Sequence, residues 1–239
     1  GDGARGEAQK VVGGRDGADA KMQGGLGESG MEEQADSRAY AVGRAREPRT
    51  GYCWEVTVLS DGEEEADSEV QWFETSKMSE EWTGKWLTCD STEKRHPIFS
   101  KEIAPAKEMA KARLYVTGLG LYEAYIDGKK VGDEYLTPYS NNYNRWVQYQ
   151  TYDITDQIAG GGKLSILLGN GWYKGRFGFS AFEDKGYYGN ERKVIADVVV
   201  TYTDGTEEVR VTDGSWTVTR SRHMSADRHR GGRVHRTPP

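Results

Sequence analysis

Cysteine is scarce in this chain: Cys53 and Cys89 are the two among 239 residues. That excludes a scaffold stapled by several disulfides. It leaves one bridge or a pair of reduced, partly buried thiols, and the reduced state is favoured because nothing else marks a disulfide framework. Histidine is nearly as rare, with four in all. His96 is isolated and the other three lie beyond residue 220, so no spacing suits a zinc site. No apolar run approaches the roughly 20 residues that cross a bilayer, and no basic start leads into an apolar stretch and cleavage site. A G-x-S-x-G phrase, which would lift a serine nucleophile onto a tight elbow, is missing. No aromatic residue precedes Tyr40, while glycine recurs ten times in the first 36 residues, from Gly1 to Gly30. Such a segment buries too little apolar area to offset the entropy of ordering, so residues 1–36 are expected to be disordered or loosely packed. Without a preceding strand or a closing GK[ST], its glycines do not form a phosphate loop.

What is present points to strands. Leu114 and Val116 share one parity and Arg113, Tyr115 and Thr117 the other, the two-residue alternation of a strand with unlike faces. Tyr122 to Ile126 alternates again and runs into Asp127-Gly128, the dipeptide best suited to a tight hairpin turn, with a return strand expected from Val131. Trp146 to Tyr152 and Leu164 to Leu168 repeat the pattern across Gly160-Gly161-Gly162. Val194 to Thr203 and Glu207 to Thr212 form a hairpin through Asp204-Gly205, and Gly214 to Thr219 reads as a further strand. Upstream, Tyr52, Trp54, Val56 and Val58 share a face opposite Cys53, Glu55 and Thr57, with Val70 to Thr75 as the expected partner. The only helix-compatible stretches are short, such as Ser76 to Trp82. The architecture expected is antiparallel and all-β, with 7 Trp and 14 Tyr available for its core and surface.

The phrases ARLYVTGLGLYEAYIDGKKVGDEYLTP, VQYQTYDITDQI and LLGNGWYKGRFGF, with the approach EEWTGKWL at Glu80 to Leu87, occur in an order that resembles the amino-terminal β-sandwich region of bacterial α-L-rhamnosidases. The likeness covers about residues 51 to 219. It implies an antiparallel, jelly-roll-like sandwich of the galactose-binding-like type over 77–219. An incomplete immunoglobulin- or fibronectin-like segment over 37–76 would precede it, with irregular termini. In that family a separate α/α barrel hydrolyses terminal α-L-rhamnosides with inversion, using one carboxylic acid and one carboxylate across the sugar ring. No position here corresponds to those carboxylates, so no catalytic residue is assigned and the chain alone is expected to be inactive. The resemblance leaves the compartment open between bacterial cytoplasm and secretion.

Two loops are candidate sugar-binding sites. In Gly169 to Arg176, the rings of Trp172 and Tyr173 offer faces for a sugar and Arg176 a fork of donors; the competing reading is a packing plug. In Tyr139 to Trp146, the amides of Asn141 and Asn142 stand beside Trp146. Relatives carry an acidic residue where Asn142 stands. Some modules of this family bind rhamnose through calcium, which makes Asp127 and Asp133 candidate oxygen ligands, although turn aspartates usually stabilise their own turns. No cofactor is required; calcium is the one candidate. The partners implied are L-rhamnose or rhamnosylated glycans and a catalytic barrel elsewhere in the parent protein. The alternative is a scaffold module that packs on that barrel and binds no sugar.

Composition changes sharply at residue 220. Residues 220–239 hold six Arg, three His and one Asp, about +5 of a net charge of −6, which leaves −11 over the rest. A basic tail on an acidic body can bind nucleic acid, but no nucleic-acid or membrane partner is expected. The preferred reading is translation in a shifted frame from near Arg220, since codons for Asp, Ile and Tyr read one frame off give Arg- and His-rich peptides; residues 1–36 allow the same explanation.

Overall fold

In the computed structural model, residues 7–16, 22–28, 32–34, 46–59, 65–89, 95–175, 187–221, 223–227 and 231–234 are described. The chain divides into two compact units, Gly1–Glu81 and Trp82–Pro239.

The first unit is one six-stranded antiparallel sheet. Its strands are β1 (Glu7–Asp16), β2 (Met22–Glu28), β3 (Glu32–Gln34), β4 (Gly51–Leu59), β5 (Glu65–Asp67) and β6 (Gln71–Glu74). β4 is central: β1 pairs along it from Ala8↔Leu59 to Arg15↔Tyr52, and β5 and β6 pair on its other side. The described parts of the glycine-rich segment are strands β1 to β3 of this sheet. A strand ladder is held by backbone N–H and C=O groups, which glycine supplies as well as any residue, so side-chain alternation is not needed to form it. Near the unit's carboxy-terminal end, Tyr52 is buried and stacks on Phe73 with centroids 5.6 Å apart. The Thr75 hydroxyl accepts from Thr50 N at 3.0 Å and donates to Glu47 O at 2.6 Å. Residues 76–82, compatible with a short helix by sequence, form a turn at 78–79 flanked by irregular backbone.

The second unit is an antiparallel β-sandwich. Its strands are β7 (Leu87–Thr88), β8 (Pro97–Ile103), β9 (Met109–Leu119), β10 (Leu121–Ile126), β11 (Lys129–Lys130), β12 (Gln150–Asp153), β13 (Gly162–Gly169), β14 (Lys193–Tyr202), β15 (Glu207–Val211), β16 (Thr217–Arg220), β17 (His223–Asp227) and β18 (Gly231–Val234). One sheet has the order β11-β10-β13-β8-β16 and the other β12-β9-β14-β15 with β7 also on β14; β17 and β18 pair as a separate hairpin within the tail expected to be irregular. A 3₁₀ turn, Asp156–Ile158, and one helical turn, α1 (Gly171–Lys174), complete it.

The inner faces follow the parity read from the sequence. Leu114, Val116, Leu164, Ile166, Leu168, Val198 and Val200 are at or below 1% exposed in one core, and each such side chain contributes about 1.5–3 kcal/mol by leaving water. The Asp127-Gly128 turn has φ of 49° and 80°, the pair of positive angles a tight hairpin needs. Its return strand is β11, ending at Lys130, and Val131 only donates its N–H to Ala124 O at 2.9 Å. The strand expected from Trp146 begins at Gln150. Neither cysteine is in a disulfide; Cys53 is buried and Cys89 half-buried.

A leading strap lies on the outer face of β14. Thr83 N and Gly84 N donate to the two carboxylate oxygens of the buried Asp197 at 3.2 and 2.8 Å, and Lys85 N donates to Thr212 O at 2.7 Å. Gly84 is required by space: a Cβ there would sit 2.7 Å from Thr212 Oγ1 and 2.9 Å from Ala196 O. Alongside, Trp82 meets Tyr149 edge-on at 5.6 Å, and Tyr149 tilts against the buried Tyr115 at 6.3 Å.

Candidate functional site

The loop from Tyr139 to Trp146 is a self-braced turn. Asn141, 5% exposed, donates from Nδ2 to Pro138 O at 2.9 Å and Tyr139 O at 3.2 Å, and its Oδ1 accepts from Gln148 N at 3.1 Å. Its amide, nominated from sequence as a sugar contact, is thereby turned towards its own loop. The Asn142 carbonyl accepts from Arg145 N and Trp146 N at 2.8 and 3.0 Å, while its side chain is exposed. That turn leaves Trp146 53% exposed.

The second candidate loop converges on the first. α1 presents Tyr173, whose ring meets Tyr143 edge-on with centroids 5.3 Å apart. Tyr143 also packs on Tyr188 at 5.1 Å, and Tyr188 meets Tyr187 at 4.7 Å. Burial pushes the Tyr143 phenol above its usual pKa, so it stays a neutral donor. Tyr188 N donates to Tyr173 O at 3.1 Å. Gly189 is required here, since a Cβ would lie 2.2 Å from the Tyr173 hydroxyl. Trp172 is half-buried beside this cluster, and Arg176 lies outside the described residues. Burial lowers the Lys174 pKa, with the Arg192 charge acting in the same direction.

Sequence reasoning named Tyr173 and Trp146 and missed Tyr143, Tyr187 and Tyr188 as part of one aromatic group. The signal for the last two was the Tyr-Tyr-Gly phrase, in which glycine makes room for another ring. Two further rings at this group are exposed: Tyr139, whose carbonyl accepts from the Tyr143 hydroxyl at 3.5 Å, and Tyr187, at 40 and 59%.

The two aspartates stand apart from it in role. Asp127 accepts Lys163 N on Oδ1 at 2.9 Å, tying its turn to the start of β13, and Asp133 is exposed in the turn that follows β11. Among the described residues, no three His, Cys, Asp or Glu side chains converge as metal ligands, and no helix is long and apolar enough to cross a membrane.

The sequence profile described as Alpha-L-rhamnosidase N-terminal domain matches residues 107–237. The chain belongs to this family. The match passes Arg220 and extends into the basic tail. An α-L-rhamnosidase of Streptomyces avermitilis is 34% identical over 176 residues, which cover 70% of this chain and 16% of that protein. One of Formosa agariphila is 30% identical over 205 residues, covering 73% and 21%. This rhamnosidase N-terminal domain chain thus spans about a fifth or less of the curated relatives it matches. Among solved structures, the native α-L-rhamnosidase from Aspergillus terreus superposes with a TM-score of 0.80 at 26% identity, covering 96% of this chain and 27% of that one. The α-L-rhamnosidase from Dictyoglumus thermophilum gives 0.79 at 27% identity, with the same coverage. Both likenesses extend over nearly the whole chain, the first unit included.

Proposed function

We propose that this chain is an accessory, non-catalytic β module of an α-L-rhamnosidase that holds a rhamnoside on the aromatic surface formed by the two converging loops, while the catalytic barrel lies elsewhere in the parent protein. The observation that supports this reading is the meeting of Tyr143 with Tyr173 and Tyr188 beside exposed Trp146 and Tyr187. A sugar presents an apolar face that stacks on such rings and hydroxyls that bond at their edges. In this reading Asn142 and the ring of Trp146 face the ligand, and Asn141 holds the loop in shape. Calcium enters as a candidate bridging ion at Asp127 and Asp133; Asp127 has its second oxygen available for one.

A scaffold role is the second reading, favoured by the exposure of Tyr139, Trp146 and Tyr187 in and beside the two loops. An apolar surface of that kind also suits docking of another domain. Tryptophan fluorescence of the full chain, titrated with L-rhamnose, then calcium, then chelator, separates the two. Saturable quenching that disappears in Trp146→Phe supports the sugar site, and its loss on chelation supports calcium. A flat titration of the folded chain leaves docking as the better account. Release of L-rhamnose from a rhamnoside by the chain alone would overturn the non-catalytic assignment.

A further inference from the structure

The edge of the amino-terminal sheet formed by β5 and β6 is uncovered among the described residues. Ala66 to Phe73, which runs from β5 into β6, is exposed at every residue, and no described strand pairs with the far side of β6. Such an edge is a ready surface for another chain. The two rings of β6 are used differently. Phe73 stacks on Tyr52 and carries the Arg46 guanidinium 5.5 Å from its centroid. Trp72 stands opposite Cys53 in the ladder, on the other face of the strand; it is 68% exposed and meets no ring or cation among the described residues. Charge sets this edge apart as well. From Thr50 to Ser76 the chain has eight Asp and Glu and no Lys, Arg or His. β1 adds two cations to the ladder, Lys10 opposite Thr57 and Arg15 opposite Tyr52, which leaves carboxylates in large excess. Asp67 accepts the Thr57 hydroxyl at 2.6 Å, and neither it nor Glu55 nor Glu69 forms an ion pair among the described residues.

The complementary charge lies at the other end of the chain. β17 and β18 pair with each other, beside α1 and β13, and join neither sheet of the sandwich. The segment they belong to, residues 220–239, has six Arg and no Lys. A guanidinium stacks on an indole face and bonds a carboxylate through two N–H groups at once, the chemistry that an exposed tryptophan among Asp and Glu calls for. We propose that copies of this chain associate head to tail, the arginine-rich ribbon of one docking on the β5–β6 edge of the next, with a guanidinium over Trp72 and others against Asp67 and Glu69. Each copy carries both surfaces, so the contact is heterologous and can repeat. It involves neither aromatic loop and is independent of the rhamnoside reading.

Analytical ultracentrifugation of the full chain tests it. The mean mass is expected to rise with protein concentration at low salt and to return to that of the monomer at high salt, because charges at an exposed contact are screened. Trp72→Ala should weaken association about thirtyfold, the effect of removing an aromatic anchor. Glu191→Arg, an exposed charge change in the sandwich, should leave it unchanged. The deciding arm mixes two double variants. Asp67→Arg with Glu69→Arg spoils the acidic edge, and Arg228→Glu with Arg233→Glu spoils the ribbon. Each alone is expected to be a monomer. Their mixture should give a one-to-one dimer and nothing larger, since one intact pair of surfaces remains, and that rescue also shows that both variants fold. A chain that stays monomeric at low salt, association that high salt or Trp72→Ala leaves intact, or a mixture that yields no dimer would overturn the proposal.

Discussion

The two sheets of the sandwich bury their outer faces differently. β13 alternates between buried Leu164, Ile166 and Leu168 and partly exposed Ser165 and Leu167. In β14 eight of ten residues are buried, on both faces. The difference is one of cover: the strap at 83–85, together with the Trp82, Tyr149 and Tyr115 rings, lies on the second sheet, and nothing comparable is described on the first. Alternation is therefore a property of what lies above a strand rather than of the strand itself. The strap also shows how backbone is held over a hydrophobic sheet. Its N–H groups would lose water without replacement, and a carboxylate placed in the middle of the apolar run supplies the acceptor.

The largest test of that contrast is in the shared core. Ile166→Ala removes a fully buried side chain and is expected to cost about 4 kcal/mol in a denaturant titration, with little change in slope. Asp197→Ala should cost about 3 kcal/mol by stranding the strap's N–H groups, and amide exchange should accelerate at Thr83 and Gly84 before it does in β13. If exchange there is unchanged, the strap is not pinned by this carboxylate. A third comparison uses equivalent outward positions. Ile195→Ala, on the covered face, is expected to cost about 2 kcal/mol, and Leu167→Ala, on the open face, less than about 1; equal costs would mean the two outer faces are alike.

The smallest effect concerns a carboxylate less buried than that of Asp197. The Glu80 carboxyl is held below its usual value chiefly by its hydrogen bond to Arg49, against a smaller opposing effect of burial, with the Arg49 and Lys77 charges adding to the lowering. Its folded-state pKa lies below the unfolded one, so its contribution is present above the unfolded value of 4.5 and fades as pH falls through the lowered folded value. Glu80→Gln should remove only that small part of the acid sensitivity, since an ion pair that is still about a quarter to a third exposed is partly screened. A large shift of the acid transition would show that the pair is stronger than its exposure implies.

Most of the sandwich was legible because its strands alternate. Leu114 and Val116 against Arg113 and Tyr115 gave the parity of β9, Asp127-Gly128 gave the first hairpin, and Asp204-Gly205 the last. β1 to β3 escaped because a glycine-rich ladder needs no side-chain pattern, and β12 was drawn too long because Trp146 and Val147 are apolar yet lie in a loop. The candidate site was legible in parts. Each loop announced itself through aromatic and amide residues, but Asn141 is spent on its own turn, and nothing local showed that Tyr143 would reach Tyr173 and Tyr188, which are thirty and forty-five residues away.

The two thiols, neither in a disulfide, fall one in each compact unit: Cys53 is 5% exposed on β4, and Cys89 is half-buried just after β7. A thiol reagent reaches a buried sulfur only when the structure around it opens. Cys53 therefore serves, without any engineering, as a chemical clock for the opening of the amino-terminal sheet, while the part-exposed Cys89 labels without unfolding and sets the reference rate.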